Sequence, residues 1–211
     1  MTTGCGHPSV DFHLRRQVAE RLGKRSLVDP PRHPYHRGNL PKALRAVARE
    51  ILDETGPEDV QLREVTRRIG VSATAAYRHF QNKDGLLASI AAEGFGELAV
   101  HLEGAAADRD PLVRTGLAYV EFALQKRGLF RLMFGPILAE RAKYPELAAG
   151  FDVVKRMVAR AADGPSEENA AALAAWGLIH GLSVLFIDGL VPEPHARSLA
   201  EEIFVRWREA V

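Results

Sequence analysis

Apolar positions recur every three or four residues along most of the chain, and no useful length alternates with period two. The pattern predicts an all-α protein. Asn39 is placed to cap a first helix, with Pro41 in its opening turn. Leu62, Val65 and Ile69 form the apolar face of a second. Gly70 supplies the bend that follows, because glycine enters positive φ without steric cost. Val71 turns back to the core, and Ser72 caps a third helix running from Ala73 through His79 and closed by Phe80. A fourth helix spans Lys83 to about Glu103. Asp110-Pro111 opens another, bearing Leu112, Leu117, Val120 and Leu124 and stopped by Gly128. A short helix around Leu129–Phe134 ends at Gly135-Pro136. Tyr144–Ala162 is next, then a long helix capped by Ser166 and running to Leu190, with Glu167 and Glu168 favourably placed in its first turn. A final helix covers His195–Ala210.

The segment Leu62–Leu87 carries the chemistry. Two short helices about a glycine turn, the second with small residues first and a Tyr-Arg-His cluster later, form a helix-turn-helix. Small side chains let such a helix approach a DNA groove, and hydroxyl, guanidinium and imidazole groups reach phosphates or bases. Thr74 and Arg78 suit base edges, Tyr77 and His79 suit phosphates, and Ser72 serves mostly as a cap. Lys83 begins its helix, where its charge opposes the macrodipole, so a DNA phosphate is its expected partner.

At these residues the chain resembles the TetR family of transcriptional regulators. The likeness runs from about Leu40 to Leu87. It rests on Ile69-Gly-Val-Ser72, Tyr77-Arg-His-Phe80, Lys83 and Leu86-Leu87, with Ala46, Ile51, Leu52, Gly56, Leu62 and Val65 before them. Two positions depart from the family pattern. Gln61 stands where a capping Thr is usual, and Ala75 stands where Thr or Ser is frequent, which leaves base preference open. Arg63, Ser72, Thr74, Ala75, Tyr77, Arg78, His79 and Lys83, with Arg37 ahead of them, make up the expected DNA-binding set. A second likeness, Trp176-Gly-Leu-Ile-His180-Gly181, is to a Trp-His-Gly subgroup of TetR-type C-terminal domains, as is the approach Tyr35-His36-Arg37-Gly38-Asn39-Leu40.

The resemblance implies three regions: an extension over 1–37, a helix-turn-helix head over 38–85, and a helical effector-binding and dimerisation body over 86–211. It implies a homodimer built from the last two long helices, with Ala175, Leu182, Leu185, Leu199, Ile203 and Trp207 at the interface. The two heads would read a near-palindrome in double-stranded DNA. It further implies a repressor released by a small, mostly apolar effector. Tyr119, Phe122, Phe130, Met133, Phe134, Phe151, Met157, Trp176 and His180 are its candidate lining, with Tyr119, Trp176 and His180 as the polar groups. The same residues also read as ordinary core, and His180 as a core histidine bonded to a hydroxyl or backbone partner. Gly94 and Gly96 mark either a soft point between head and body or close packing.

Charge placement agrees with this division. Residues 1–92 hold 15 Lys and Arg against 10 Asp and Glu, whereas residues 93–211 hold 13 against 17. A basic front half suits phosphate contact. The extension, in which Arg15–Lys24 could form a helix, is either an arm along DNA, with Arg37 or His36 in the minor groove, or a solvating tail. Cys5 is the one cysteine, which excludes an internal disulfide and fits a reducing cytoplasm. No run approaches the length of a membrane span, no signal peptide is recognised, and no membrane partner is expected. No nucleophile elbow, phosphate loop, zinc-protease motif or dinucleotide fingerprint occurs, so neither an enzyme nor a cofactor is expected. Cys5, His7, His13, His33 and His36 fit no regular zinc module. A DNA-binding protein governed by a partner rather than by a small molecule is the principal alternative.

Overall fold

The computed structural model describes residues 39–106, 109–162 and 170–210, and every regular element among them is helical. Helix α1 is Leu40–Thr55. The Asn39 side chain accepts the Lys42 amide at 3.1 Å, and Leu44, Val47, Ala48, Ile51 and Leu52 form its buried stripe. Helix α2, Leu62–Ile69, ends on Gly70 at φ 80°, ψ 31°. Helix α3, Ala73–Tyr77, begins where Ser72 Oγ accepts the Ala75 amide at 3.3 Å. Gln61 gives α2 no side-chain cap; its amide donates instead to the Glu58 carbonyl.

Helix α3 stops two residues before the expected His79. The His79 and Phe80 amides both donate to the Ala76 carbonyl at 3.0 Å, which tightens the end of the helix. Phe80 then turns into the core at 8% exposure. Helix α4, Lys83–Ala106, is started by Asn82, whose side chain accepts the Gly85 amide at 2.8 Å. It runs unbroken across residues 85 and 86, so the expected division between head and body falls inside one helix.

The body adds α5 (Pro111–Gln125), α6 (Arg127–Met133), α7 (Pro136–Ala139), α8 (Pro145–Ala161), α9 (Ala170–Ile187) and α10 (Ala196–Ala210). α4 packs on α5 and α8, while α9 and α10 lie against α5. Ser166 and its neighbours, like the whole extension, lie outside the described residues. Gly128 does not stop α5. That helix ends at Gln125, where Lys126 leaves helical geometry (φ −130°, ψ 52°). Gly128 sits inside α6 instead, pressed on α1: a Cβ there would lie 2.6 Å from the Leu52 carbonyl oxygen. Gly94 is likewise a close-packing position, since a Cβ on it would meet Met133 Sδ at 2.7 Å and Leu129 Cδ1 at 2.9 Å. Gly96 faces open space.

The expectation that no run reaches membrane length does not hold. Lys83–Ala105 and α9 are both long and apolar enough by length and composition, with mean hydropathies of 1.2 and 1.9. The apolar run read from Trp176 begins six residues earlier, at Ala170, and His180 and Ser183 do not lower its mean enough. Half of the α4 window is buried within the chain, as befits a core helix, but only 33% of α9 is.

Gly70 has open space around its Cα, so the cost of a side chain there is conformational. Gly70→Ala is expected to destabilise the protein by about 1–2 kcal/mol, the usual penalty of left-handed backbone. Urea unfolding measures this, and an unchanged midpoint would contradict the role of the turn.

Candidate nucleic-acid interface and internal aromatic cluster

The head's exposed surface gathers most of the expected DNA-binding residues. Thr74, Arg78, His79, Ser72 and Arg63 are exposed, Tyr77 is 51% exposed, and Ala75 and Lys83 are half-buried. Arg37 lies outside the described residues. Arg78 and His79 stand beyond α3, on the turn into Phe80, rather than on the helix. Arg63, Tyr77 and Lys83 line a shallow concavity of about 580 Å³ with Gln61, Leu62, Glu64 and Arg67. Arg67 was missed from the sequence. Its place four residues after Arg63, on the same helical face, is the signal that points to it.

Lys83 has a protein partner, for its ammonium donates to the Glu58 carbonyl at 2.9 Å. An ammonium has three donors, so this bond leaves capacity for a phosphate oxygen. The bond also ties the Pro57–Asp59 loop to the start of α4, which fixes one rim of the concavity.

A carboxylate network fixes the other rim. Glu64 accepts from Arg67 Nε and Nη2, both at 2.8 Å, and from Arg68 Nε at 3.0 Å. Arg68 also reaches back to Glu54 on α1, at 2.9 and 3.2 Å. The hydrogen bonds from Arg67 and Arg68 hold the Glu64 carboxyl down at about 2. The bond from Arg68 likewise lowers Glu54. The network joins α1 to α2 and orients Arg67 beside the concavity.

Inside the body, Tyr119 OH and His180 Nδ1 are 3.1 Å apart. The His180 ring stacks on Phe130 (5.4 Å, 26°) and leans on Phe134 at 4.7 Å. Phe151 meets Trp176 at 5.4 Å. Phe95 joins edge-on to both Phe134 and Phe151, at 5.3 and 5.7 Å. Phe95 was not foreseen in this cluster, although it continues the stripe that Leu98 and Leu102 make on α4. Burial pushes the Tyr119 phenol up and the His180 imidazolium down, so both are neutral near pH 7. Trp176 Nε1 is buried near the Tyr119 hydroxyl, yet it makes no well-formed hydrogen bond.

The cluster therefore unites six of the expected pocket residues: Tyr119, Phe130, Phe134, Phe151, Trp176 and His180. Phe122 faces His101 and Lys126 instead, and Met133 packs on Gly94. Met157 lines a different space, a cleft of about 590 Å³ with Leu102, Thr115, Val153, Arg156 and Arg160. Cys5, His7, His13, His33 and His36 lie outside the described residues.

Among the expected dimer contacts, Ala175 is corrected. It is fully buried within its own chain, on the inward face of α9 with Ala172, Ile179, Ser183 and Phe186. Leu185 is 40% exposed. Leu182, Leu199, Ile203 and Trp207 are half-buried. Leu173, at 66% exposed, was overlooked.

The sequence profile described as bacterial regulatory proteins, tetR family, matches residues 44–90. The profile described as tetracyclin repressor-like, C-terminal domain, matches residues 112–206. Together they take in more than half of the chain. The chain belongs to the TetR family. It is accordingly a DNA-binding transcriptional regulator rather than an enzyme. No curated protein matches it. A solved structure of a protein of unknown function from Rhodococcus sp. RHA1 is 28% identical, over 82% of this chain and 97% of its own, with a TM-score of 0.68. A bacterial regulatory protein in the tetR family from Rhodococcus RHA1 is 22% identical, over 80% and 96%, at 0.60. The TetR family transcriptional regulator PfmR from Thermus thermophilus is 22% identical, over 76% and 96%, at 0.56. The last two share the fold with this TetR-family chain.

Three outcomes follow for the head. Tyr77→Ala removes an exposed side chain, so folding should survive while affinity falls about tenfold or more on every DNA sequence. Thr74→Val should instead shift preference between sequences; titration of labelled duplexes separates the two, and an unaffected Tyr77→Ala protein would place the interface elsewhere. Glu64 titrates well below its ordinary 4.5 in the folded head. Its contribution to stability is thus present above 4.5 and lost as the pH falls toward about 2. Glu64→Gln should flatten the pH dependence of the unfolding midpoint across that window, and an unaltered slope would show that the carboxylate network does not stabilise the fold.

Proposed function

We propose that this regulator is a homodimeric repressor, acting in the cytoplasm on a near-palindromic site in double-stranded DNA and released by a small, mostly apolar effector. The head, about 38–85, supplies the contacts named above, with Arg63, Tyr77 and Lys83 on phosphates and Thr74 and Arg78 toward bases. The body receives the effector at the Tyr119–Trp176–His180 cluster, in the manner of the Trp-His-Gly subgroup. A basic extension over 1–37 acts as an arm along the DNA, with Arg37 or His36 in the minor groove.

The observation that carries this reading is the two-faced character of α9. Its inward side bears Trp176 and His180 against the aromatic cluster. Its opposite side presents Leu173, Ala174, Gly177 and Leu185, exposed on a helix of which only 33% is buried. An apolar helical face lined with small residues suits close approach by a second copy, and Leu199, Ile203 and Trp207 on α10 extend it. Two heads held by that interface would meet half-sites one DNA turn, about 34–36 Å, apart. In the cluster, the Trp176 N–H, buried near the Tyr119 hydroxyl without a well-formed bond, offers a donor to an uncharged ligand. Burial keeps His180 neutral, which matches neither a carboxylate nor an ammonium headgroup.

Leu185→Glu is expected to shift the protein from dimer to monomer in sedimentation velocity and to weaken operator binding at least tenfold. A Leu185→Glu protein that stays dimeric would exclude this face of α9. A thermal-shift screen of neutral apolar compounds tests the effector, since binding to the folded state raises its melting temperature by mass action. Shifts abolished by Trp176→Phe support the cluster. Absence of any shift favours control by a partner protein.

A further inference from the structure

The short helix α6 is held on several sides. Its Leu129 and Met133 side chains close over Gly94 of α4. Phe130 lies between Tyr119, at 5.6 Å, and His180. Arg131 donates to the Ile187 carbonyl at 3.1 Å and to Asp188 at 2.8 Å, just past the end of α9. It also meets the head, through Gly128 and the Leu52 carbonyl. Beside it runs an ionic bracket. Glu97 of α4 accepts from Arg49 of α1, and from Lys126, at the start of α6, at 2.5 Å. Burial alone would raise the Glu97 carboxyl, but these two cations outweigh it and hold it low.

We infer that Gly128 is a positioning residue for DNA binding: its missing side chain lets α6 seat on the Leu52 carbonyl, and that seat sets the angle of the head on the body. A methyl at 128 would stand 2.6 Å from a backbone oxygen and 3.3 Å from Asp53 Oδ1, so a side-chain rotation of Asp53 cannot relieve it. α6 is fastened to α4, α5 and α9, so the shift falls on α1. α1 carries Arg68's partner Glu54 and hence the orientation of α2 and α3. Gly128 is not among the residues that line the concavity of Arg63, Tyr77 and Lys83.

The inference rests on the paired-head reading above for its DNA readout, so two measurements are made. In the first, wild type selects an operator from random-sequence DNA. Full-length Gly128→Ala is then titrated on that operator and on versions with the half-sites one base pair closer or further apart. The expected result is a tenfold or greater loss at the wild-type spacing with a smaller loss, or a gain, at one altered spacing, in a protein that melts as a cooperative dimer. Glu97→Gln, which opens the bracket, should flatten the spacing preference. The second measurement needs no DNA: the distance between spin labels at Asp59→Cys and Glu202→Cys, with Cys5→Ser, should change by several ångström in Gly128→Ala. An unchanged label distance, or an equal loss at every spacing with folding intact, overturns the inference. If wild type selects no paired half-sites, the dimeric-operator reading fails and the label distance alone decides the role of Gly128.

Discussion

The helices that face DNA have eight and five residues, and neither is long enough to persist alone. Isolated helices below about 12–15 residues are marginal in water because nucleation costs more than a few hydrogen bonds return. Every feature of the head answers that constraint. Ser72 supplies a cap to α3, and Gly70 makes the turn that α2 and α3 share. Val65, Ile69, Ala76 and Phe80 are sunk into a core to which the longer α1 and α4 contribute Leu44, Ile51, Leu86 and Ile90. The α2 N-terminus, which Gln61 leaves without a side-chain cap, is steadied by Glu64 and its two arginines. The reading surface is thus stabilised from beneath and behind, which leaves its outer face free to be polar.

That dependence makes the seam between head and body consequential. α4 belongs to both, since it begins as the head's last core helix and continues as the spine of the body. A single continuous helix would transmit bending poorly unless something set its angle to α1. Two kinds of contact do so. The Arg49–Glu97–Lys126 bracket is partly buried, so its strength comes from hydrogen-bonded charge in a medium less screening than water. The Gly128 contact is steric and indifferent to salt. A seam built from both tolerates ionic conditions that a purely electrostatic one would not.

The sequence made the fold class and the head legible because their signals are local. Period-3.6 patterning, Asn39, Gly70 and Ser72 each act within a few residues of themselves. The misreadings have non-local causes. Gly128 looked like a helix stop because glycine commonly is one; its actual reason is a carbonyl 76 positions earlier in the chain. The protein partner of Lys83 was hidden in the same way, because the Glu58 carbonyl it bonds lies across the head. Ala175 was assigned to a subunit contact since small residues allow close approach, but the sequence does not say which neighbour approaches. Phe122 and Met133 fell out of the aromatic cluster for the same reason. A helical wheel gives the direction of a side chain, and only packing decides what it meets.

The inward and outward faces of α9 obey different rules, and their combination constrains how the body can respond. Ser183 turns its hydroxyl to the Ile179 carbonyl at 2.9 Å within the helix, so it makes no demand on its surroundings. Tyr119 and His180 satisfy one another. Trp176 is the exception, a buried donor without a well-formed bond, and a group of that kind typically costs about 1–3 kcal/mol. A cluster that pays this penalty at rest is stabilised by any guest that supplies an acceptor without adding charge. Such a guest must enter among rings whose centroids already lie 4.7–6.3 Å apart, so they must separate to admit it. Phe130 is one of those rings, and it stands two residues from Gly128 on a helix of seven. A displacement at one end of α6 therefore has little length over which to dissipate before it reaches the Leu52 carbonyl.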